Sequence, residues 1–586
     1  MKDIPRNKPH EGRPQRQPLN RRGSPASSDN SAGVKVAAWA RSQASDDWRR
    51  VLKFVNKDGK SDTVLLEPED ETPSRLINLL KRRGCPLPTS RADQKRLADK
   101  ILEADPEPRV LLVYRFGWHS TRFLLGAKTI GNGDEPIQLS EMLGAHLARI
   151  GSHGTLGEWK DNIAARCISS SYIVFALCVG FAAPLLQLAT VESGGFHFWG
   201  DSSTGKSTLQ SCVATIYGCG DGHDNGYSRS WKTTDAALEE ITLGHCDLPL
   251  ILDELKLLDS DQKRGAQRAS DIAYLIASGT GKARSVAHKG SVPSDQKRCR
   301  TLLISSGEIS LVDNARAGGT DRFRGEEARL IDLPIPDTPT GVFDRLSRGA
   351  SGEQSREHAD LLQRGATAYF GAAGEAFLQG LVNDLADGEA ELKGHIERRM
   401  SRFFNIAGVD MNDGYEVRFA TRFALAYAAG LLAIDYGVVP WKQALVRRCT
   451  CRVYHRALRR RTRQTDSIRT VAAQIVRKVL ESLVVDIRGT SPAVDPKKAE
   501  RARVLLVTHS DGSSLHAVRP DFFKSQLAAN VSARDIAREL ERSGLLIPRS
   551  KTCRTRQIRI PGLKKRPNYY CLRLPKTASS RKKGKG

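Results

Sequence analysis

The chain has 586 residues, enough for about three or four domains. Hydrophobic residues make up 39%, slightly low for a globular protein, and the formal charge is +26 with a pI near 9.7, which points to an anionic partner, most often nucleic acid. The eleven cysteines are scattered without C-x-x-C spacing, which argues against a zinc knuckle and for reduced thiols in a cytoplasmic protein.

Residues 1–45 read as a tail. Met1–Gly33, rich in Arg, Pro, Asn and Ser, has no apolar core of a secretory signal and is expected to be disordered. Val51–Leu66 reads as two strands around Asp58-Gly59, Ser74–Arg83 and Ala92–Glu103 as helices, and Arg109–Tyr114 and Arg122–Leu125 as strands. Together 46–150 form a small α/β domain. Cys167–Val191 has no charged residue and is long enough to span a membrane. Ser169–Ser171, Pro184 and Gln187 interrupt it, and it leads almost directly into a loop that must meet water. It is therefore read as a buried helix within a helical stretch from Glu158, with no membrane partner.

Beyond it, the strands Gly195–Trp199, Pro249–Leu252, Arg300–Ile304 and Arg329–Leu333 alternate with helices at Thr208–Tyr217 and Asp271–Ala277. This alternation predicts an α/β fold with a mostly parallel sheet and flanking helices. Glu353–Leu385 and Phe419–Tyr436 read as helices, and so do Ile468–Val484 and Ala533–Ser543, the last followed by strand-and-wing patterns. The chain is thus divided into the 1–45 tail, a 46–150 α/β domain, a 151–345 α/β core, a 346–445 helical lid, a 446–465 basic linker, a 466–575 winged-helix domain and a 576–586 basic tail.

The chemistry concentrates at Gly200-Asp201-Ser202-Ser203-Thr204-Gly205-Lys206-Ser207, a full G-x-x-x-x-G-K-[ST] match followed by Thr208. Glycines allow the tight fold that turns backbone N–H groups inward toward phosphates, and the helix that starts there adds its positive end. Lys206 then reaches the β- and γ-phosphates of ATP, and Ser207 offers a hydroxyl to Mg²⁺. The alternative is a Gly/Ser-rich turn that contains GKS by chance, but a strand precedes this loop and a helix follows it. Leu248–Leu252, an apolar run, ends in Asp253-Glu254. Asp253 is expected to hold the Mg²⁺ shell and Glu254 to polarise the attacking water.

These motifs resemble a family, domain of unknown function 927, of helicase-like ATPases of the AAA+ type from bacteria, phages and mobile elements. The resemblance runs from about Trp48 to Trp441. It is carried by RFGWHSTRFLLG at 115–126, GTLGEWKDNIA at 154–164, GGFHFWGDSSTGKST at 194–208, WKTTDAALE at 231–239, LPLILDEL at 248–255, SGTGKAR at 278–284, TLLISSGE at 301–308, ARLIDLP at 328–334 and VRFATRFALAYAAGLLAIDYGVVPW at 417–441. It implies a polar sensor of the γ-phosphate at Ser305-Ser306, with Ser306 the choice where the family usually has Thr. It also implies an arginine finger acting on a neighbouring subunit's nucleotide, with Arg329 favoured over Arg322 and Arg324, and hence a homo-oligomeric ring, perhaps a hexamer. A second sensor falls on Arg418 or Arg422.

Nucleic acid has three candidate sites. The Gly279–Gly290 stretch reads as a hairpin carrying Lys282, Arg284, His288 and Lys289, which in related rings projects into the pore. Arg447–Arg463 holds eight arginines and reads as a basic linker helix or a merely solvated face. The C-terminal stretch offers Arg554, Arg556, Arg559, Lys564, Lys565 and Arg566 on a wing, with Tyr569 and Tyr570 either stacking on bases or filling a core. The favoured reading is an ATP-hydrolysing DNA helicase or translocase of a replicating or mobile element, acting on single-stranded or forked DNA, with any primase or initiator a separate chain. The alternative is a nucleotide-switched DNA-binding regulator that never translocates.

Overall fold

The computed structural model describes residues 33–574 except 142, 223–225, 280–298, 321, 348, 483, 489–494, 510, 526–532, 551–552 and 564–565; the side chains of 460–467 are likewise left out. The expected hairpin at 280–290, the first part of the expected tail, Lys564 and Lys565 lie outside these residues. The chain divides into two compact units, 1–112 and 113–586.

The first unit pairs β1 (Lys35–Arg41), β2 (Arg49–Val55) and β3 (Ser61–Leu66) antiparallel, with β4 (Arg109–Val113) parallel to β1. Helices α1 (Pro73–Arg82) and α2 (Arg91–Glu103) cover it, and Leu52, Phe54, Leu66, Leu76, Leu80, Ala98 and Ile101 form its core. Strand β1 lies within the stretch read as tail. Its residues Val36-Ala-Ala-Trp-Ala gain their partners only by pairing with β2 and β4, a long-range event invisible in a polar N-terminal context.

The second unit opens with the three-stranded meander β5 (Gly117–His119), β6 (Arg122–Leu125) and β7 (Lys128–Ile130), then β8 (Ile137–Leu139). Sequence patterning assigned 113–150 to the first domain. The chain divides at 112/113 instead, and Trp118 and Ala148 bond within the second unit: the Asp247 carboxylate accepts the Trp118 N–H (3.0 Å), the Pro184 carbonyl accepts the Trp118 indole N–H (2.8 Å), and Ala148 N–H donates to the Gly244 carbonyl (3.0 Å). The helical stretch expected from Glu158 to Val191 is broken into α3 (Leu156–Trp159), a wide turn at 160–164, a tight turn at 166–169, α4 (Ser171–Ala182) and α5 (Leu185–Leu188). Ser170 breaks it by turning extended and capping α4, with its hydroxyl accepting the Ile173 N–H at 3.0 Å.

All twelve residues of α4 are buried, as expected of an interior helix that is apolar all round. It packs beside a five-stranded, all-parallel sheet in the order β10-β11-β12-β9-β13. These strands are β9 (Gly194–Trp199), β10 (Arg229–Ser230), β11 (Pro249–Asp253), β12 (Leu302–Gly307) and β13 (Leu330–Pro334). The helices between them are α6 (Lys206–Ala214), α7 (Asp235–Gly244), α8 (Gln262–Ser278), α9 (Leu311–Ala317) and α10 (Arg324–Arg329). The interior strands read as continuous apolar runs because a parallel sheet is covered on both faces.

A helical layer follows: α11 (Gly352–Ala368), α12 (Ala372–Ala407), α13 (Gly414–Asp435) and α14 (Gln443–Glu481). The ring of Phe423 on α13 lies 5.2 Å from Phe175 of α4, 5.0 Å from Phe196 of β9 and 5.3 Å from Tyr454 of α14, so one aromatic cluster joins the layer to the sheet. Among the described helices, α13 is long and apolar enough to cross a membrane, but 78% of its apolar window is buried inside the protein.

The C-terminal part is a mixed five-stranded sheet, β14-β15-β16-β18-β17, with α15 (Pro496–Arg501), α16 (Pro520–Ser525) and α17 (Ala533–Arg542). Its strands are β14 (Val484–Arg488), β15 (Val504–Thr508), β16 (Ser514–Val518), β17 (Arg556–Gln557) and β18 (Asn568–Leu572). The sheet is broader than the wing expected from sequence, and Ile536, Ala537 and Leu540 of α17 pack on Val471, Ile475 and Val479 of α14. Tyr569 is buried and Tyr570 stacks on Phe523 at 4.1 Å, so both tyrosines fill the core rather than await a base.

Candidate nucleotide site

The loop at 200–207 leaves the C-terminal end of β9 and enters α6. Gly205 has φ +88°, and a Cβ there would come within 2.5 Å of Val342 Cγ2, so both backbone conformation and the close approach of the 335–344 segment require glycine. That segment straps the loop in place: the Val342 N–H donates to the Thr204 carbonyl at 2.9 Å, and the Ser170 hydroxyl donates to the Val342 carbonyl at 2.6 Å. Nothing in the sequence marked 335–344 for this task.

Lys206 is 9% exposed and folds back on its own loop, where Nζ donates to the carbonyls of Gly200 and Asp201, each at 2.7 Å. Burial lowers the pKa of its ammonium, and the carboxylates of Glu254, Glu308, Asp253 and Asp201 oppose that shift. Gln210, one turn along α6 from Ser207, donates Nε2–H to the Leu252 carbonyl at 3.0 Å. Positions three apart share a helix face, so the exposed Ser207 lies on the same side of α6 as Gln210.

The acid pair is organised by Ser306. Strand β12 lies between β9 and β11, which brings its tip between the loop and the acids. The Ser306 hydroxyl donates to Asp253 Oδ1 at 2.5 Å and accepts the Glu254 N–H at 3.1 Å. Glu254 takes the left-handed conformation (φ 58°, ψ 79°), sparse for a residue with a Cβ, and its carboxylate accepts the Lys256 N–H at 3.3 Å. Such stored strain is maintained only where surrounding structure over-determines it. Ser305 points the other way, as alternation along a strand demands; its hydroxyl meets His197 Nδ1 (2.9 Å) and Trp231 Nε1–H (3.0 Å) in the core.

The arginines lie elsewhere. Arg329 ends α10 at the N-terminal edge of β13, the end of the sheet away from the loop; it has Glu192 at 4.0 Å and the Tyr274 ring at 5.8 Å. Six strand residues separate that edge from the loop, about 20 Å, so Arg329 is out of reach of its own chain's Lys206. Arg322 is buried and locked to Asp332 (3.3 Å) and the carbonyls of Glu326 (3.2 Å) and Leu330 (2.9 Å), whereas Arg324 lies 5.8 Å over the Tyr415 ring. Arg422, expected as a possible second sensor, is buried at the same far edge. It donates to the carbonyls of Ala328 (2.7 Å) and Ser193 (2.6 Å), and burial lowers its pKa to about 10. It braces α13 to the sheet, and with the exposed Arg418 one turn away, neither sensor candidate meets the loop.

On the basic helix α14, Arg447, Arg448, Arg452, Arg456 and Arg459 are exposed, and Arg452 pairs with Asp344 at 2.9 Å. On the C-terminal sheet Arg554 pairs with Glu541 at 2.9 Å.

The donor set suits Mg²⁺ with a nucleotide. Ser207 and Asp253 offer hard oxygen ligands only. Among the described residues no group of three His, Cys, Asp or Glu could hold a metal by itself.

No curated protein matches the chain. A solved structure, SCCmec type IV Cch, described as an active helicase, is similar in fold with a TM-score of 0.61 at 16% identity, over 92% of this chain and 93% of that one. Residues 19–297, which include the glycine-rich loop and the acid pair, match the model of the family described as Domain of unknown function (DUF927), and over that stretch the chain is similar to this family.

Proposed function

We propose that the chain is a Mg²⁺-dependent P-loop ATPase of the AAA+ type, working as a DNA helicase or translocase in a homo-oligomeric ring. The observation that carries this reading is the convergence of Lys206, Asp253, Glu254 and Ser306 at the C-terminal ends of three adjacent parallel strands. The place of β12 between the loop strand and the acid strand supports the AAA+ assignment, since it puts a polar side chain where both can use it.

In this reading the backbone N–H groups of 201–206 and the start of α6 hold the phosphates. Lys206 exchanges the carbonyls of Gly200 and Asp201 for the β- and γ-phosphate oxygens. Ser207 and Asp253 would hold the metal, which would supply positive charge beside those oxygens. Glu254 accepts a proton from the attacking water, and Ser306 keeps both acids in register. Arg329 faces away from its own loop, so it serves only a neighbour's nucleotide, which makes turnover depend on assembly. The net charge of +26 and the exposed arginines of α14 support DNA as the anionic partner, and the fold likeness to a helicase agrees.

The test is ATPase activity of the purified full-length protein with and without single-stranded and forked DNA, with its mass in solution. DNA is expected to stimulate hydrolysis, and Lys206→Ala and Glu254→Gln are expected to abolish it. A rate indifferent to DNA would refute the motor. A Glu254→Gln protein that retains full function in the cell would favour a nucleotide-switched DNA-binding regulator instead.

A further inference from the structure

We infer that Glu308 is a further residue of the nucleotide site, its carboxylate accepting hydrogen bonds from the water shell of the metal and repelling nucleotide that arrives without one. This rests on the ATPase reading above and assigns a role that neither the sequence motifs nor that reading used.

Glu308 follows Gly307, the last residue of β12. The Gly307 carbonyl accepts the N–H of Gly200, the first residue of the glycine-rich loop, at 3.3 Å. Two residues before Glu308, Ser306 binds the Asp253 carboxylate that ends β11 and the Glu254 N–H that follows it. Glu308 therefore sits one residue past the point where the loop strand and the acid strand are tied together. Its carboxylate lies 3.9 Å from Lys256 Nζ, with side-chain exposures of 47% and 80%, and so loose a surface pair holds neither partner in place.

Asp253 and Glu254 are engaged. Asp253 takes the Ser306 hydroxyl and Glu254 takes the Lys256 N–H. The Glu308 carboxylate, like those of Glu254, Asp253 and Asp201, works against the burial that lowers the pKa of the Lys206 ammonium. Four carboxylates thus act on one ammonium at this site. Free triphosphate adds negative charge to that field, and its Mg²⁺ complex adds less. Mg²⁺ gives up water reluctantly, so with two protein ligands it keeps several waters. Those waters need acceptors beyond the first shell, and such acceptors typically change metal affinity 10–100-fold when removed.

The experiment uses the full-length protein and a fluorescent ATP analogue, titrated in the presence of Mg²⁺ and in the presence of a chelator. For Glu308→Gln we expect metal-free affinity to rise about fivefold, because a partly screened charge a few ångströms away is removed. The Mg²⁺ concentration for half-maximal binding should rise about tenfold. Glu308→Asp should restore most of the wild-type ratio of metal-bound to metal-free affinity, and both variants should melt with the wild type. An unchanged ratio in Glu308→Gln overturns the inference, as does a lowered melting temperature in both variants with the ratio intact, which would make Glu308 structural. If the wild-type protein binds no nucleotide even with Mg²⁺, it is the ATPase reading that fails, so the two failures are distinguishable.

Discussion

Replacing Ser306 by Ala removes one oxygen that serves two masters. The Asp253 carboxylate loses a donor at 2.5 Å and the Glu254 N–H loses an acceptor at 3.1 Å, at a side chain only 2% exposed. A hydrogen bond to a charged group contributes about 1.5–3 kcal/mol and a neutral one about 0.5–1.5 kcal/mol. Asp253 is half-buried and recovers part of its loss from water, so the expected destabilisation is about 1–3 kcal/mol. Turnover should suffer more. Asp253 and Glu254 would keep their chemistry but lose their orientation, and removal of such supporting partners typically costs 10–100-fold. Nucleotide affinity should change little, because the loop and Lys206 are untouched. The assay is kcat and KM for ATP, with denaturant unfolding, for Ser306→Ala, Ser306→Thr and Ser305→Ala. Thr keeps the hydroxyl and suits a strand, so it should stay near wild type. Ser305→Ala, which deprives His197 and Trp231 of a buried partner, should lose about 1–3 kcal/mol of stability with kcat intact. If Ser306→Ala turns over like wild type, or if the two alanine variants lose turnover alike, the organising role of Ser306 is wrong.

Glu254→Gly should abolish hydrolysis yet raise stability by about 1 kcal/mol, because glycine adopts φ 58° without the cost that a Cβ imposes; a lower unfolding midpoint would show that the left-handed turn is not strained. Equal mixtures of Lys206→Ala and Arg329→Ala proteins, each inactive alone, should recover about a quarter of wild-type ATPase, since random head-to-tail neighbours combine an intact loop with an intact arginine at that frequency. No recovery from mixtures that assemble would remove Arg329 as the finger. Acid should weaken the fold. Burial holds the His245 imidazole at a pKa of about 3, against about 6.5 in the unfolded chain, so between those values the unfolded state binds the extra proton. Stability from this group is complete above about pH 6.5 and is lost at about 1.4 kcal/mol per pH unit as pH falls toward 3. Unfolding free energies at pH 7 and 5.5 for the wild type and His245→Gln check it: the variant should show the shallower pH slope, and equal slopes would place His245 outside the effect.

The parts of this protein legible in its sequence are those whose physics is local. The glycine-rich loop can be found because a strand, a tight glycine turn and a helix start must follow one another within a dozen residues. The acid pair is visible because an apolar run ends abruptly in Asp253-Glu254, and α4 is recognisable as interior because Ser169–Ser171, Pro184 and Gln187 interrupt a run that leads almost directly into a water-facing loop. The turn at Asp58-Gly59 is of the same kind; Gly59 takes the positive φ (73°) the turn needs.

Tertiary structure decided what sits beside what. Ser306 reaches Glu254 across 52 positions of chain, and Arg422 reaches the Ser193 carbonyl across 229. No local pattern separates Ser305 from Ser306; which of them faces the acids follows from the position of β12 between β9 and β11. Arg418 and Arg422 open a helix after the lid, where sequence order alone suggested a sensor, yet packing of α13 on the sheet turns Arg422 into a brace at the far edge. Residues 113–150 carry strand patterns like those before them, but Trp118 and Asp247 fasten them to the second unit. Local propensity acts over a few residues and cannot express such choices, because they arise from burying apolar surface and satisfying buried polar groups between segments that meet only when the whole core has closed.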